Sequence, residues 1–255
     1  MSEHSEHTGQ VALITGGARG FGAAFAASFA ADGVAVVLVD LDGAAAEETA
    51  AGLRAQGARA LAIEADVTDE VGMSAAVART VDTFGSLGIL VNNAGLHLVR
   101  YNRPFAELGV DELRRLLDVN VVGLVVTTLA AREAMRAAGG GCVVNISSIA
   151  GYLSKTPYGV SKLAVRGVTV ALANDLAADK IRVNAVAPGL MGTESALAEL
   201  PTAMVEDFVS NLQLVHRLGE QDDVVAAVRY LCSPAASFIT GETIKVSGGY
   251  PLGLM

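Results

Sequence analysis

The sequence predicts an α/β fold: one doubly wound domain with a seven-stranded parallel sheet and helices on both of its faces. Three observations carry this. Short Val/Ile/Leu runs alternate with Ala-rich helical stretches along the whole chain, the pattern of strand–helix–strand units with right-handed crossovers. Runs such as VAVVLV (34–39) and CVVNI (142–146) are apolar without alternation, as strands are when both faces are covered. A glycine-rich turn follows the first apolar run and opens a helical one, the position where such sheets bind ligands.

The elements follow in order. Strands are expected at Gln10–Thr15, Val34–Asp40, Ala58–Glu64, Ile89–Asn92, Gly141–Ile146, Arg182–Ala187 and Thr243–Val246. Helices are expected to begin near Gly20, Gly43, Asp69, Val110 (continuing through Asn120 toward Ala138), Tyr158, Thr193 and Asp222. No linker, repeat or low-complexity stretch interrupts the 255 residues, so residues 1–255 read as a single domain.

Composition narrows the function classes. Hydrophobic residues make up 52% and charged residues 18% of the chain, which describes a globular protein. The polar start, MSEHSEHTGQ, has no signal-peptide core, and no apolar run is long enough to cross a bilayer. A cytoplasmic protein without a membrane partner is the expectation. A net charge of −9 argues against nucleic acid. His4, His7, His97 and His216 lack metal-ligand spacing, so no metal is expected. His97 reads as an exposed loop histidine or as part of a pocket wall. Cys142 and Cys232 each lie in an apolar stretch and read as buried free thiols, a disulfide being the less favoured alternative.

The first turn reads Thr15-Gly16-Gly17-Ala18-Arg19-Gly20-Phe21-Gly22. Glycines there let the backbone approach a pyrophosphate, which the N–H groups of the next helix hold. The second strand ends at Asp40, followed by Leu41 and Asp42. A carboxylate at that place accepts hydrogen bonds from the adenosine ribose and repels a 2′-phosphate. At ~4 Å the repulsion is roughly 4 kcal/mol at an effective dielectric near 20. Arg19 could pair with such a phosphate, with Asp40, or face solvent. NAD is favoured over NADP.

Farther along, SSIAGYLSKTPYGVSK (147–162) sets two serines at a strand end before Tyr158 and Lys162. Residues four apart share one helix face. A free phenol titrates near pH 10, and bringing it near 7 needs about 4 kcal/mol. One ammonium at ~4 Å supplies about that much. Asn120 lies in an otherwise apolar helical run, where asparagine competes for backbone hydrogen bonds.

Taken together, these motifs resemble the short-chain dehydrogenase/reductase family, from Val11 to Gly249. The resemblance implies a Rossmann-type fold and an NAD(H)-dependent oxidoreductase interconverting a secondary alcohol and its ketone. It implies a catalytic set of Asn120, Ser148, Tyr158 and Lys162. Tyr158 would exchange the proton, Ser148 would hydrogen-bond the substrate oxygen, and Lys162 would also hold the nicotinamide ribose. Asn120 would help hold a water that links Lys162 to solvent. Cofactor contacts would come from Gly16, Arg19, Gly20, Phe21, Gly22, Asp40, Leu41, Asp66-Val67, Asn93-Ala94-Gly95, Tyr158 and Lys162. Pro188, Gly189, Met191 and Thr193, in a stretch similar to the family's PGxxxT, would complete them.

Nine residues separate Ser148 from Tyr158, fewer than is usual in the family. Ser148 is preferred over Ser147 because alternation aims Ser147 at the opposite face. The short loop shifts Tyr152, Leu153 and Lys155, which would alter the pocket wall; Tyr152 and Leu153 are assigned to the substrate pocket with His97, Leu190 and Met191. A substrate lid is expected near 190–215. The helix after Tyr158 is apolar on more than one face, which with the resemblance implies a homotetramer or homodimer. Three other readings stay open: a non-catalytic dinucleotide-binding regulatory protein, an NADP-dependent ketoreductase, and an epimerase or dehydratase with tightly held NAD.

Overall fold

Seven parallel strands hydrogen-bond into one sheet. They are β1 (Val11–Thr15), β2 (Ala35–Asp40), β3 (Ala60–Glu64), β4 (Ile89–Asn92), β5 (Gly141–Ile146), β6 (Ile181–Pro188) and β7 (Thr243–Val246). The spatial order is β3-β2-β1-β4-β5-β6-β7. The computed structural model describes residues 10–97, 100–192 and 200–253. The chain winds outward from β1 to β3, then returns to pair β4 with β1 on its other side. This reversal opens a crevice at the carboxyl ends of β1 and β4, where ligands of such sheets bind.

The unbroken apolar runs have a physical cause. Val36 and Leu38 of β2 pack into one core, and Val37 and Val39 pack into another on the opposite face. All four are fully buried, and each contributes about 1.5–3 kcal/mol of hydrophobic stabilisation. Helices α1 (Gly20–Ala31) and α9 (Gln221–Cys232) supply residues to the first core. Helices α3 (Glu70–Phe84), α5 (Gly123–Ala137) and α7 (Pro157–Asp175) supply the second. Helix α2 (Gly43–Ala55) covers the outer strands from the first side. The remaining helices are α4 (Val110–Leu117), α6 (Ala150–Leu153) and α8 (Thr202–Asp207).

A buried polar chain fixes α5 and α7 on the sheet. The Asn92 amide donates to Thr128 Oγ1 and to Asn145 Oδ1, both at 2.9 Å, and the Asn145 amide donates to Thr169 Oγ1 at 3.0 Å. Because hydrogen bonds in a dry interior are costly to leave unmade, this chain sets the position of α7 and with it Tyr158.

The expected strands agree with the observed ones to within two residues. The long helix expected from Val110 differs. It is divided by a π-helical turn, Asp118–Val122, centred on Asn120. The wider turn arises because the Asn120 side chain leaves the helix to bond a loop, as π-bulges commonly do at functional sites. Helices α6 and α8 are too short for periodicity to reveal. The helix expected near Thr193 lies outside the described residues.

Candidate active site

Two adjoining clefts run along the carboxyl edge of the sheet and share Gly16, Ala94 and Gly95. The first, about 560 Å3, is walled by Asp40, Leu41, Asp66 and Val67, with Arg114, Arg115 and Asp118 opposite. The second, about 750 Å3, runs from the glycine loop past Ser148, Tyr158 and Lys162 to α8.

The glycine loop is built by close approach. Gly16 has φ +61°, and a Cβ there would lie 2.9 Å from Ala94 Cα. A Cβ on Gly22 would lie 1.9 Å from the Gly16 carbonyl oxygen. Asn93 locks the same loop: its amide donates to the carbonyls of Thr15 and Gly16, each at 3.0 Å. Thr15 Oγ1 in turn accepts the N–H groups of Asn93 and Ala94 at 3.1 Å.

Helix α1 begins at this loop without a side-chain cap and without an acid in its first turn. Its first N–H groups therefore lack side-chain acceptors at the cleft wall, an anion-binding arrangement. Asp40 is held rigidly, Oδ2 accepting the Ala18 N–H and Oδ1 the Asp42 N–H, both at 3.0 Å. Arg19 pairs with Asp42 at 2.6 Å, neither with Asp40 nor with solvent alone. The Ala45 N–H, with Arg19 assisting, holds the Asp42 carboxyl below its ordinary range. Backbone donors beside a fixed carboxylate fit a dinucleotide's pyrophosphate and adenosine ribose.

In the larger cleft, Tyr158 and Lys162 lie one turn apart on α7, both buried. Thr156 caps α7 by accepting the Gly159 N–H at 3.2 Å, and Pro157 stands at its first position. The Ser148 hydroxyl hydrogen-bonds the Tyr158 phenol. Ser147 donates instead to the Lys162 carbonyl at 2.9 Å, a bond that ties β5 to α7. The two serines thus face opposite ways.

Asn120 Oδ1 accepts the Leu96 N–H at 2.7 Å. Its amide donates to the Leu96 carbonyl and to Ser161 Oγ. Protein groups therefore satisfy this amide in the π turn. A Cβ built on Gly95 would lie 3.2 Å from Asn120 Oδ1 and 3.6 Å from Lys162 Nζ, so both line one small space.

Burial dominates the electrostatics of the pair. Burial pushes the Tyr158 phenol up to about 12, the Ser148 hydrogen bond opposing it. Burial likewise pulls Lys162 down to about 8. Lys162 Nζ donates to the Ile146 carbonyl at 2.8 Å and stands 5.8 Å from the centre of the Tyr158 ring. It lies over the ring face, and desolvation is the leading influence on both groups.

Of the substrate-side residues, His97, Leu153, Leu190 and Met191 line the larger cleft. Tyr152 does not. Its ring stacks 3.6 Å from the Arg166 guanidinium, with Lys245 Nζ 5.0 Å from its centre, so cation–π packing turns it away from the cleft. Pro188 and Gly189 line the cleft as well; Thr193 lies outside the described residues. Lys155, expected to alter the pocket wall, lines it too, and so do Asn102, Thr156 and Tyr250, which no sequence signal assigned to the pocket. The Thr-Pro pair before α7 was a readable cap signal for Thr156. Nothing local marked Tyr250, which reaches the cleft by packing edge-on against Phe208 at 5.0 Å.

A family model described as enoyl-(acyl carrier protein) reductase matches residues 16–251. A cis-4-hydroxycyclohexanecarboxylate dehydrogenase of Sinomonas cyclohexanicum is 40% identical, over 94% of this chain and 96% of its own. The chain belongs to the short-chain dehydrogenase/reductase family. A 3α-hydroxysteroid dehydrogenase of Mediterraneibacter gnavus is 34% identical over 94% of this chain and 96% of its own. Among solved structures, a 7α-hydroxysteroid dehydrogenase complexed with NADH and 7-oxo glycochenodeoxycholic acid superposes with a TM-score of 0.88. It is 30% identical, covering 98% of this chain and 97% of that one. This member of the short-chain dehydrogenase/reductase family is an oxidoreductase acting on CH–OH groups with a nicotinamide dinucleotide. Among the described residues no helix is long and apolar enough to cross a membrane, and no side-chain cluster could hold a metal ion.

Proposed function

We propose that this enzyme uses NAD(H) to interconvert a secondary alcohol on an apolar, ring-bearing skeleton with its ketone, Tyr158 exchanging the proton. The observation that carries this is the Ser148–Tyr158 hydroxyl pair with Lys162 beneath it, all three lining the larger cleft. The relatives named for cyclohexanol and steroid substrates support the ring-bearing skeleton.

A nicotinamide held in the larger cleft beside Ser148, Tyr158 and Lys162 would supply the hydride chemistry that links carbinol and carbonyl carbon. Ser148 donates to the substrate oxygen and steadies the charge that develops there. Tyr158, protonated across the physiological range, gives its proton to that oxygen in reduction. In oxidation it must first lose that proton, and the Lys162 ammonium is the nearby charge that favours the phenolate. Asn120, fixed on Leu96, holds the loop that closes over Lys162.

NAD is favoured over NADP because Asp40 lines the smaller cleft, and Arg19 is already engaged by Asp42. Leu129 of α5 and Leu163 and Val170 of α7 remain exposed, which supports assembly into a homodimer or homotetramer through these helices; a monomer by light scattering at micromolar concentration would exclude it.

Tyr158→Phe should lower turnover of ring alcohols by about 10²–10⁴-fold while NAD titration shows unchanged affinity. Turnover within tenfold of the wild type would remove Tyr158 from the reaction.

A further inference from the structure

The protein carries 27 acidic against 18 basic residues, yet among the described residues no aspartate or glutamate lines the larger cleft. Its cations are Arg19, Lys155 and Lys162, beside His97. Two of the cations are engaged. Arg19 pairs with Asp42 at the pyrophosphate end, and Lys162 is bonded to the Ile146 carbonyl beneath Tyr158. Lys155 has neither an ion pair nor a hydrogen bond with any described residue. A cleft in which no described lining residue is a carboxylate, and at which the exposed Lys155 ammonium has no counter-ion among the described residues, is suited to an anion.

The turn that carries Lys155 is held on both sides. Ser154, in the left-handed region at φ +49°, donates its N–H to the Ala150 carbonyl at 2.8 Å. Thr156 caps α7 and donates its hydroxyl to Asn102 Oδ1 at 2.8 Å. Only the flexible stem of Lys155 is free to move. Two residues, Thr156 and Pro157, separate it from Tyr158, so the two Cα atoms are at most about 11 Å apart. One small molecule can therefore meet both side chains. The facing wall, formed by Leu200, Met204, Phe208 and Tyr250, is apolar or aromatic, which suits a hydrocarbon skeleton between the two polar ends.

We infer that the substrate is a hydroxy acid, or the corresponding keto acid: Tyr158 meets its carbinol or carbonyl, and Lys155 binds a carboxylate at the far end of an apolar skeleton. Lys155 is then the residue that sets specificity. This rests on the alcohol–ketone reading above. The unusually short Ser148–Tyr158 loop acquires a purpose, since it places the lysine within reach of the same molecule as the tyrosine.

The test uses the whole enzyme with NAD and a series of ring alcohols, each supplied as the free carboxylate and as its methyl ester. The wild type should favour the carboxylate by at least tenfold in kcat/KM, through KM, and the preference should shrink as salt is raised. Lys155→Met should bring the carboxylate down to the ester's kcat/KM, with kcat little changed, and Lys155→Arg should restore most of the preference. NADH titration of each variant confirms a folded cofactor site. Equal use of acid and ester by the wild type, or a preference that survives Lys155→Met, overturns this inference and leaves the alcohol–ketone reading standing. Turnover of no alcohol at all, with NADH still bound, overturns both.

Discussion

At the adenosine end of the cleft the walls are largely backbone, whereas at the substrate end they are side chains drawn from distant segments. Gly16 and Gly22 are packed against neighbouring main chain, Asn93 bonds two carbonyls of the loop, and Asp40 accepts two backbone N–H groups. The substrate end is assembled from the 150–156 turn, the 200–212 segment and Tyr250 near the end of the chain. The first end recognises a group that many proteins share, and its rigid backbone leaves little to vary. The second can be changed by altering one loop length or one side chain without disturbing the sheet. Lys162 lies at the boundary, buried with Tyr158 and bonded to the end of β5.

The comparison breaks most readily at Gly22. If the cofactor end depends on close main-chain approach, Gly22→Ala should cost about 3 kcal/mol or more in stability, since its Cβ would stand 1.9 Å from a carbonyl oxygen. Dinucleotide affinity should fall with it. Thermal unfolding with and without NADH checks this; a melting temperature and affinity equal to the wild type would show that the loop is softer than its packing implies.

Lys162 sharpens the comparison at the boundary. Its ammonium titrates near 8 in the folded protein against an ordinary value of 10.5. Between these values the unfolded chain holds more protons, so unfolding free energy rises with pH, by about 2 kcal/mol from pH 8 to 9.5. The burial-raised Tyr158 acts in the opposite sense, but only above pH 10, where an unfolded tyrosine begins to ionise. Denaturant unfolding of wild type and Lys162→Met across this range should show the rise in the wild type alone. Parallel curves would mean that Lys162 is not desolvated as its burial indicates.

The smallest effect is expected at the ribose. Asp40→Ala should move the NAD:NADP preference by about tenfold toward NADP, about 1.4 kcal/mol. The full ~4 kcal/mol of a close charge pair is not expected, because solvent and salt screen this open end. Competitive titration of the two dinucleotides measures it, and an unchanged ratio would shift the discrimination to Asp42 and Arg19.

The sequence by itself determined the sheet, because fully buried parallel strands require unbroken apolar runs such as VAVVLV, and only such runs can be covered on both faces. It also determined the glycine loop and the Asn93, Tyr158 and Lys162 positions, since each depends on residue type at short spacing. Tertiary structure alone decided the rest. Tyr152 is drawn out of the pocket by the Arg166 guanidinium stacked on it. Tyr250 is brought in by Phe208, forty-two residues earlier in the chain. The Tyr158 phenol is raised and not lowered, because the balance between burial and a neighbouring ammonium depends on where in the fold the two groups lie. Contacts between segments remote in sequence, and the removal of water from between them, are set by packing, and no local pattern of residues records them.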